Sequence, residues 1–504
     1  MTAVSRRTCQ RVLVAACVVL SPMPSTAGER HRTPAEVELR RSEIAARLAV
    51  LADEEALLTA RIGNADAAIA SELAAQVQRI IDERDVLLVE ASELAALATR
   101  SATGPLTRAD PPGLTPAQIA GGSSQVSAGT AFNPAITVIP DGLYYYDNAG
   151  GGAAAAIGER FRAPGARVEV EDIPRGFSLR EVELAFSGAV DPYFDVWATF
   201  GIADGSIEPE EVYVQTRRFL PGAQIKFGQF LSGVGYLNRQ HRHQWDFVDP
   251  ALPYEGLFGS NLGEVGVQAT WLPPIRVYTQ FGFEALQGDN GLIANQLSAE
   301  YSDVLDETPG PRLFTGFLKV SPDLGYSHTL QAGLSMGRSR SHQEADDGGN
   351  VYDGTAWFLG TDWVWRYDSA RPYGEGDVTV QGEYIYRSKT LELVSLPDPA
   401  DLPETTSQQD GVYAQVVYGV GPRWTVAGRF DAAGLRNHAE ALTGVTDAGA
   451  ATRYSTNVTF NPTEFSRLRV QYNYARVPDD SRTRFHQVYV QFQMSLGVHG
   501  SHAF

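Results

Sequence analysis

Residues 238–250 read N-R-Q-H-R-H-Q-W-D-F-V-D-P. His241 and His243 stand two positions apart, so in extended backbone their imidazoles share a face. With Asp246 or Asp249 they would supply part of a zinc shell, which needs three or four converging nitrogen or carboxylate ligands. His499 and His502 form a second pair near the carboxyl terminus. The same stretch, with Arg239, Arg242 and Trp245, suits two other tasks. It could line a constriction, where fixed charges act on passing ions at close range. It could equally be a loop fastened by its own polar side chains, with Trp245 and Phe247 packed beneath. The choice depends on the elements that carry it.

The chain has 504 residues and a net charge of −19, most of it after residue 128. Nucleic-acid binding, which rests on neutralising phosphates, is not expected from such a balance. Arg6, Arg7 and Arg11 lead into the apolar run V-L-V-A-A-C-V-V-L at 12–20, and small residues follow at 25–27, the pattern of a secretory signal peptide over 1–27. A lipoprotein reading would acylate Cys17, but the apolar run continues past it; S-R-R-T also hints at twin-arginine export. Cys9 and Cys17 both fall in this segment, so after cleavage no disulfide or thiolate metal site is expected. Beyond it no stretch approaches the ~18 consecutive apolar residues of a spanning helix.

Residues 34–99 are rich in Ala, Leu, Glu and Arg, with apolar residues alternating at four and three: Ile44, Leu48, Leu51, Leu58, Ile62 and Ile69. After a one-residue slip the series resumes at Leu73, Val77, Ile80, Leu87 and Leu94, a narrow stripe that predicts a helical coiled-coil segment. Gly63-Asn64 leaves open an antiparallel hairpin instead. Residues 100–128 read as a Pro, Gly and Ser linker.

From 129 the period changes to two. In L-R-V-Q-Y-N-Y, Leu468, Val470, Tyr472 and Tyr474 fall on one face and Arg469, Gln471 and Asn473 on the other. Sixteen such segments begin near 135, 178, 193, 210, 222, 263, 275, 312, 327, 351, 377, 411, 422, 452, 464 and 485. Connections after even-numbered segments are short; those after odd-numbered ones are mostly long and polar. Even strand number and loops sorted by length predict an all-β fold for 129–504, a sixteen-stranded antiparallel transmembrane β-barrel preceded by the α-helical coiled-coil segment.

Several stretches carry a resemblance: F-N-P-A-I-T-V-I-P-D-G (132–142), F-S-L-R-E-V-E-L (177–184), V-D-P-Y-F (190–194), E-V-Y-V-Q-T (211–216), L-P-G-A-Q-I-K-F-G-Q-F (220–230) and G-Y-L-N (235–238). In these the chain resembles the phosphate-selective porins O and P, sixteen-stranded outer-membrane channels in which a helical amino-terminal segment is common. It also resembles bacterial outer-membrane proteins labelled zinc-regulated. A TonB-dependent receptor would differ, having a 22-stranded barrel with a plug, whereas 28–128 reads as helix and linker. Phe504, on the apolar parity of the last segment, resembles the terminal aromatic by which such barrels are recognised for assembly.

Parity opposite to the apolar face assigns the lumen. Arg423, Arg429, Arg453, Arg467 and Arg469 make a basic wall on segments thirteen to fifteen, and Glu181, Glu183, Asp195 and Glu211 an acidic wall on two to four. The basic wall resembles the arginine ladder of the phosphate-selective porins, although the barrel has only Lys226, Lys319 and Lys389. The histidine-bearing stretch becomes the third outer loop. The expectation is an outer-membrane porin passing small hydrophilic solutes or ions, anion-preferring if the arginines govern. Its expected surroundings are outer-membrane lipid, its assembly a homotrimer, and its helical segment periplasmic. No cofactor is expected unless His241 and His243 bind zinc, which would make the chain a metal-linked uptake or sensing protein. No G-x-S-x-G, H-E-x-x-H or phosphate-binding glycine motif points to an enzyme.

Overall fold

A computed structural model of the chain divides into two compact units, residues 1–109 and 110–504. It describes residues 135–149, 173–297 (less 204, 218 and 219), 301–345, 350–394, 404–441, 444–447, 449–477 and 484–497. Of the first unit it describes Ile44, Arg47, Val50 and Leu51, which are helical, with Ile44 and Leu51 buried and Val50 exposed. The expected signal peptide, the rest of the expected helical segment, the expected linker, His499, His502 and Phe504 lie outside the described residues.

In the second unit sixteen long strands follow one another among the described residues: β1 (Ala135–Asp147), β2 (Gly176–Ala189), β3 (Phe194–Ala203), β4 (Ser206–Thr216), β5 (Ala223–Leu231), β6 (Gly263–Trp271), β7 (Tyr278–Leu286) and β8 (Leu313–Ser321). The second half comprises β9 (His328–Ser339), β10 (Val351–Tyr367), β11 (Val378–Leu393), β12 (Glu404–Gly421), β13 (Trp424–Ala441), β14 (Ala451–Thr463), β15 (Ser466–Arg476) and β16 (Arg484–Met494). Each pairs antiparallel with the next, and β16 pairs with β1 from Asp141↔Gln493 to Asp147↔Gln487, closing the ring. Three short pieces, His342–Ala345, Gly444–Asp447 and Leu496–Gly497, extend the ladders at their ends.

Alternation sets the two faces. On β15, Leu468 (42%), Val470 (49%) and Tyr472 (41%) are exposed while Arg469 (3%), Gln471 (0%) and Asn473 (0%) are buried. A water-soluble sandwich would have the reverse. Apolar residues pointing outward all round a closed ring can be satisfied only by lipid, and closure pairs the edges that hydrocarbon would leave unsatisfied. The short turns and the strand ends beside them carry exposed aromatics, among them Tyr193, Trp271, Tyr326, Tyr373, Trp424 and Phe465, the level at which amphipathic rings prefer to sit. No described helix is long and apolar enough to cross a membrane.

Candidate functional site

The long connection between β5 and β6, residues 232–262, folds into the barrel rather than projecting from it. It folds as two 3₁₀ turns, Leu237–Arg239 and Arg242–Gln244, and a short helix α1, Leu252–Phe258. Pro253 suits the first turn of α1, where its missing N–H costs nothing, and Gly259 ends it in the left-handed conformation (φ 77°). Val234, Leu237, Trp245, Tyr254, Leu257 and Phe258 pack with Phe230, Leu286, Phe358 and Ile385 of the wall into an apolar core inside the ring. The loop is cinched at its base by Asn238, whose amide donates to the carbonyls of Ser232 (2.9 Å) and Leu262 (3.0 Å) and accepts from the Leu262 N–H (2.6 Å).

Polar wall residues hold it at four points. On β11, Glu383 accepts from the N–H groups of Tyr236 (3.1 Å) and Leu237 (2.8 Å) and from the hydroxyls of Tyr254 and Tyr413 (2.7 Å each). On β13 and β14, Arg429 reaches Asp249 at 3.0 Å and Arg453 reaches it at 2.8 Å, and both also pair with Asp431. Asn473 donates to the same Asp249 carboxylate at 2.8 Å, and Phe247 lies under the Arg429 guanidinium at 4.4 Å. Burial alone would push the Asp249 pKa up, but the two arginines hold it below the usual carboxylate range. On β15, Arg467 donates to the carbonyl of His243 (2.8 Å) and Arg469 to that of Trp245 (3.0 Å).

The fourth point is the acidic wall. His241 Nδ1 lies 3.0 Å from Glu210 Oε2 and its Nε2 lies 2.9 Å from Glu211 Oε2; His243 Nδ1 lies 2.7 Å from Glu183 Oε2. The two rings stack at 5.9 Å. Burial would depress the His241 pKa, but the Glu183, Glu210 and Glu211 carboxylates outweigh it and hold the pKa well above the usual imidazole value. Glu183, Glu210 and His241 each offer a ligand atom, and these lie within 4.8 Å of one another.

These positions correct several expectations. Arg423 is not on the lumen wall: it occupies the turn before β13 with φ 67° and stacks on Tyr373 at 4.6 Å, because alternation holds only in extended backbone. Arg429, Arg453, Arg467 and Arg469 do point inward, but they hold the loop. Asp195 is separate from the other acids and pairs with Arg217 at 3.0 Å near the turn rim. Asp246 and Asp249 do not join the histidines. Asp246 accepts from Gln415 (2.8 Å) and Asp249 belongs to the arginines. Trp245 is buried and donates to the Gln240 carbonyl (3.1 Å), while Arg239 meets Gln331 at 3.4 Å. Arg242 acts electrostatically on Glu181, which is hydrogen-bonded to Glu210.

Sequence alternation missed Glu210 and Arg180 for one reason. In β4 the register with β3 shifts so that Thr199 faces Glu211 and Phe200 faces Pro209, leaving Glu210 as an extra residue that points inward beside its neighbour. A matching shift in β2 turns Arg180 inward, where it meets Asp141 at 2.8 Å and the Val248 carbonyl at 2.7 Å. Pro209 was the available signal, since proline inside a strand marks an edge or a bulge.

Fold and interior together define a transmembrane β-barrel with one of its own long loops folded inside it. No protein-family model matches the chain. It is 35% identical over 341 residues to a protein of Aquifex aeolicus (strain VF5) described only as uncharacterized, an alignment spanning 66% of this chain and 70% of that one; the chain belongs to the family of that protein. Similar solved structures include an anion-selective porin from Comamonas acidovorans (TM-score 0.45, 12% identity, covering 72% of this chain and 99% of that one). Another is the outer-membrane channel DcaP of Acinetobacter baumannii (TM-score 0.44, 13% identity, 72% and 96%).

Proposed function

We propose that the protein is an outer-membrane channel that passes small hydrophilic solutes or ions passively, with the 232–262 loop as its constriction. The observation that carries this reading is the sorting of side chains on a closed ring: apolar toward lipid, charged toward an interior that the loop narrows. The phosphate-selective porins are one form of such a channel. Here Arg429 and Arg453 are neutralised by Asp249 and Asp431, while Arg467 and Arg469 face loop carbonyls. A narrow, weakly selective passage fits that arrangement better than an anion filter. Planar-bilayer recording in a potassium chloride gradient tests it. Stepwise insertion with small currents and a reversal potential near zero is expected, and removing residues 239–258 should enlarge each step. Insertions without current in both forms would sink the channel reading. A homotrimer in the membrane is part of the proposal and is checked by cross-linking the purified protein.

A second reading, metal-linked uptake or sensing, has its own observation: the Glu183, Glu210 and His241 ligand atoms converge where the loop meets the wall. A strain lacking the protein should then hold less zinc under zinc limitation than its parent.

A further inference from the structure

Two β-bulged or alternating strands and one loop deliver five side chains to a single point: Glu183 from β2, Glu210 and Glu211 from β4, and His241 and His243 from the loop. Their arrangement is directional. The Oε2 atoms of Glu210 and Glu183 both approach His241 Nδ1, at 3.0 and 3.8 Å, so these three atoms surround one position. The other ring nitrogen, Nε2, is held by the Glu211 carboxylate at 2.9 Å. A carboxylate behind the far nitrogen is how a metal-binding imidazole has its tautomer and orientation fixed. His243 plays the corresponding part for Glu183, at 2.7 Å. An imidazole among the donors selects ions of the zinc type over magnesium or calcium, which prefer oxygen alone.

We propose that Glu183, Glu210 and His241 Nδ1 bind one divalent transition-metal ion of the zinc type, with Glu211 and His243 as positioning residues, so that the ion cross-links the loop to the barrel wall. The proposal deepens the metal-linked reading by naming its ligands, and it is independent of whether the barrel conducts.

The test uses the full chain, folded in detergent and stripped with a chelator, then titrated calorimetrically with Zn²⁺ and separately with Mg²⁺, with bound metal counted by elemental analysis. One zinc per chain is expected, not displaced by magnesium. Glu210→Gln and His241→Gln should each abolish stoichiometric binding, while Glu211→Gln should weaken it roughly 10–100-fold. X-ray absorption of the zinc form should show one nitrogen among oxygen donors. Heat-modifiable migration on a gel identifies any variant that has not folded, and Glu210→Asp, which keeps the carboxylate, should bind more tightly than Glu210→Gln. Substoichiometric zinc on the native chain, or full binding that survives both ligand substitutions, would overturn the assignment. Zinc bound as expected in a protein whose loss leaves cellular zinc unchanged would retain the site and remove the uptake role.

Discussion

Asp249 shows how much rests on single side chains in this interior. It is buried, faces two guanidiniums, and takes a further hydrogen bond from Asn473. Asp249→Asn keeps the shape but leaves Arg429 and Arg453 short of an anion, so the loop should loosen by about 3–5 kcal/mol. Limited trypsin digestion at Arg239 and Arg242 reads this directly, and cleavage as slow as in the native protein would refute it. Glu255 on α1 gives the pH dependence. Its burial outweighs the attraction of Arg453 at 3.4 Å and raises its pKa to about 7. A carboxyl raised in the folded state favours the docked loop while protonated. That advantage is complete at pH below the free carboxylate value and is lost as pH climbs toward 7. The difference amounts to about 3 kcal/mol at roughly 1.4 kcal/mol per pH unit. Digestion should therefore be faster at pH 8 than at pH 5, and Glu255→Gln should flatten the difference. The histidine pair was legible from its spacing, but its carboxylate partners were not. Glu210 reaches it only because a bulge suspends the alternation on which the reading depended.

At the scale of elements, the loop depends on a tight entry. Gly235 has φ 66°, and a Cβ there would lie 2.0 Å from the Tyr254 hydroxyl and 2.6 Å from Glu383 Oε2. Gly235→Ala should cost about 1–3 kcal/mol from backbone strain alone and, by displacing the Glu383 anchor, raise the single-channel current of any open form. An unchanged current with unchanged digestion would mean that this entry is not what holds the loop. The strands were the most readable part of the chain, since all sixteen begin within a few residues of the expected positions except β12. That strand starts at Glu404, not near 411. Its leading E-T-T-S-Q-Q-D is polar on both sides, as befits a hairpin extending past the lipid level, and so offers no alternation to read. No period announces the infolding of residues 232–262, because its apolar residues meet partners on β7, β10 and β11 that are far away in sequence.

For the whole molecule, the outward face predicts a sign reversal of ordinary intuition about charge. Val470→Arg, on the exposed side of β15, should destabilise the barrel in lipid by about 2–4 kcal/mol at the level of the bilayer midplane, falling toward the rims. Urea titration in vesicles measures it, and a neutral result would place Val470 away from hydrocarbon. The anchors of the loop add a constraint in time. Residues 236–255 precede most of their partners: Glu383, Arg429, Arg453, Arg467 and Arg469 lie well over a hundred residues further along the chain. During assembly the loop thus has only its contacts with the first half of the ring, chiefly the carboxylates of β2 and β4, until the second half has curled round to meet β1. Protection of Arg239 and Arg242 from trypsin should then appear together with closure of the β1 and β16 seam, and not with the formation of β5 and β6. The loop is in this sense a clock: the moment it becomes protease-resistant dates the completion of the wall around it.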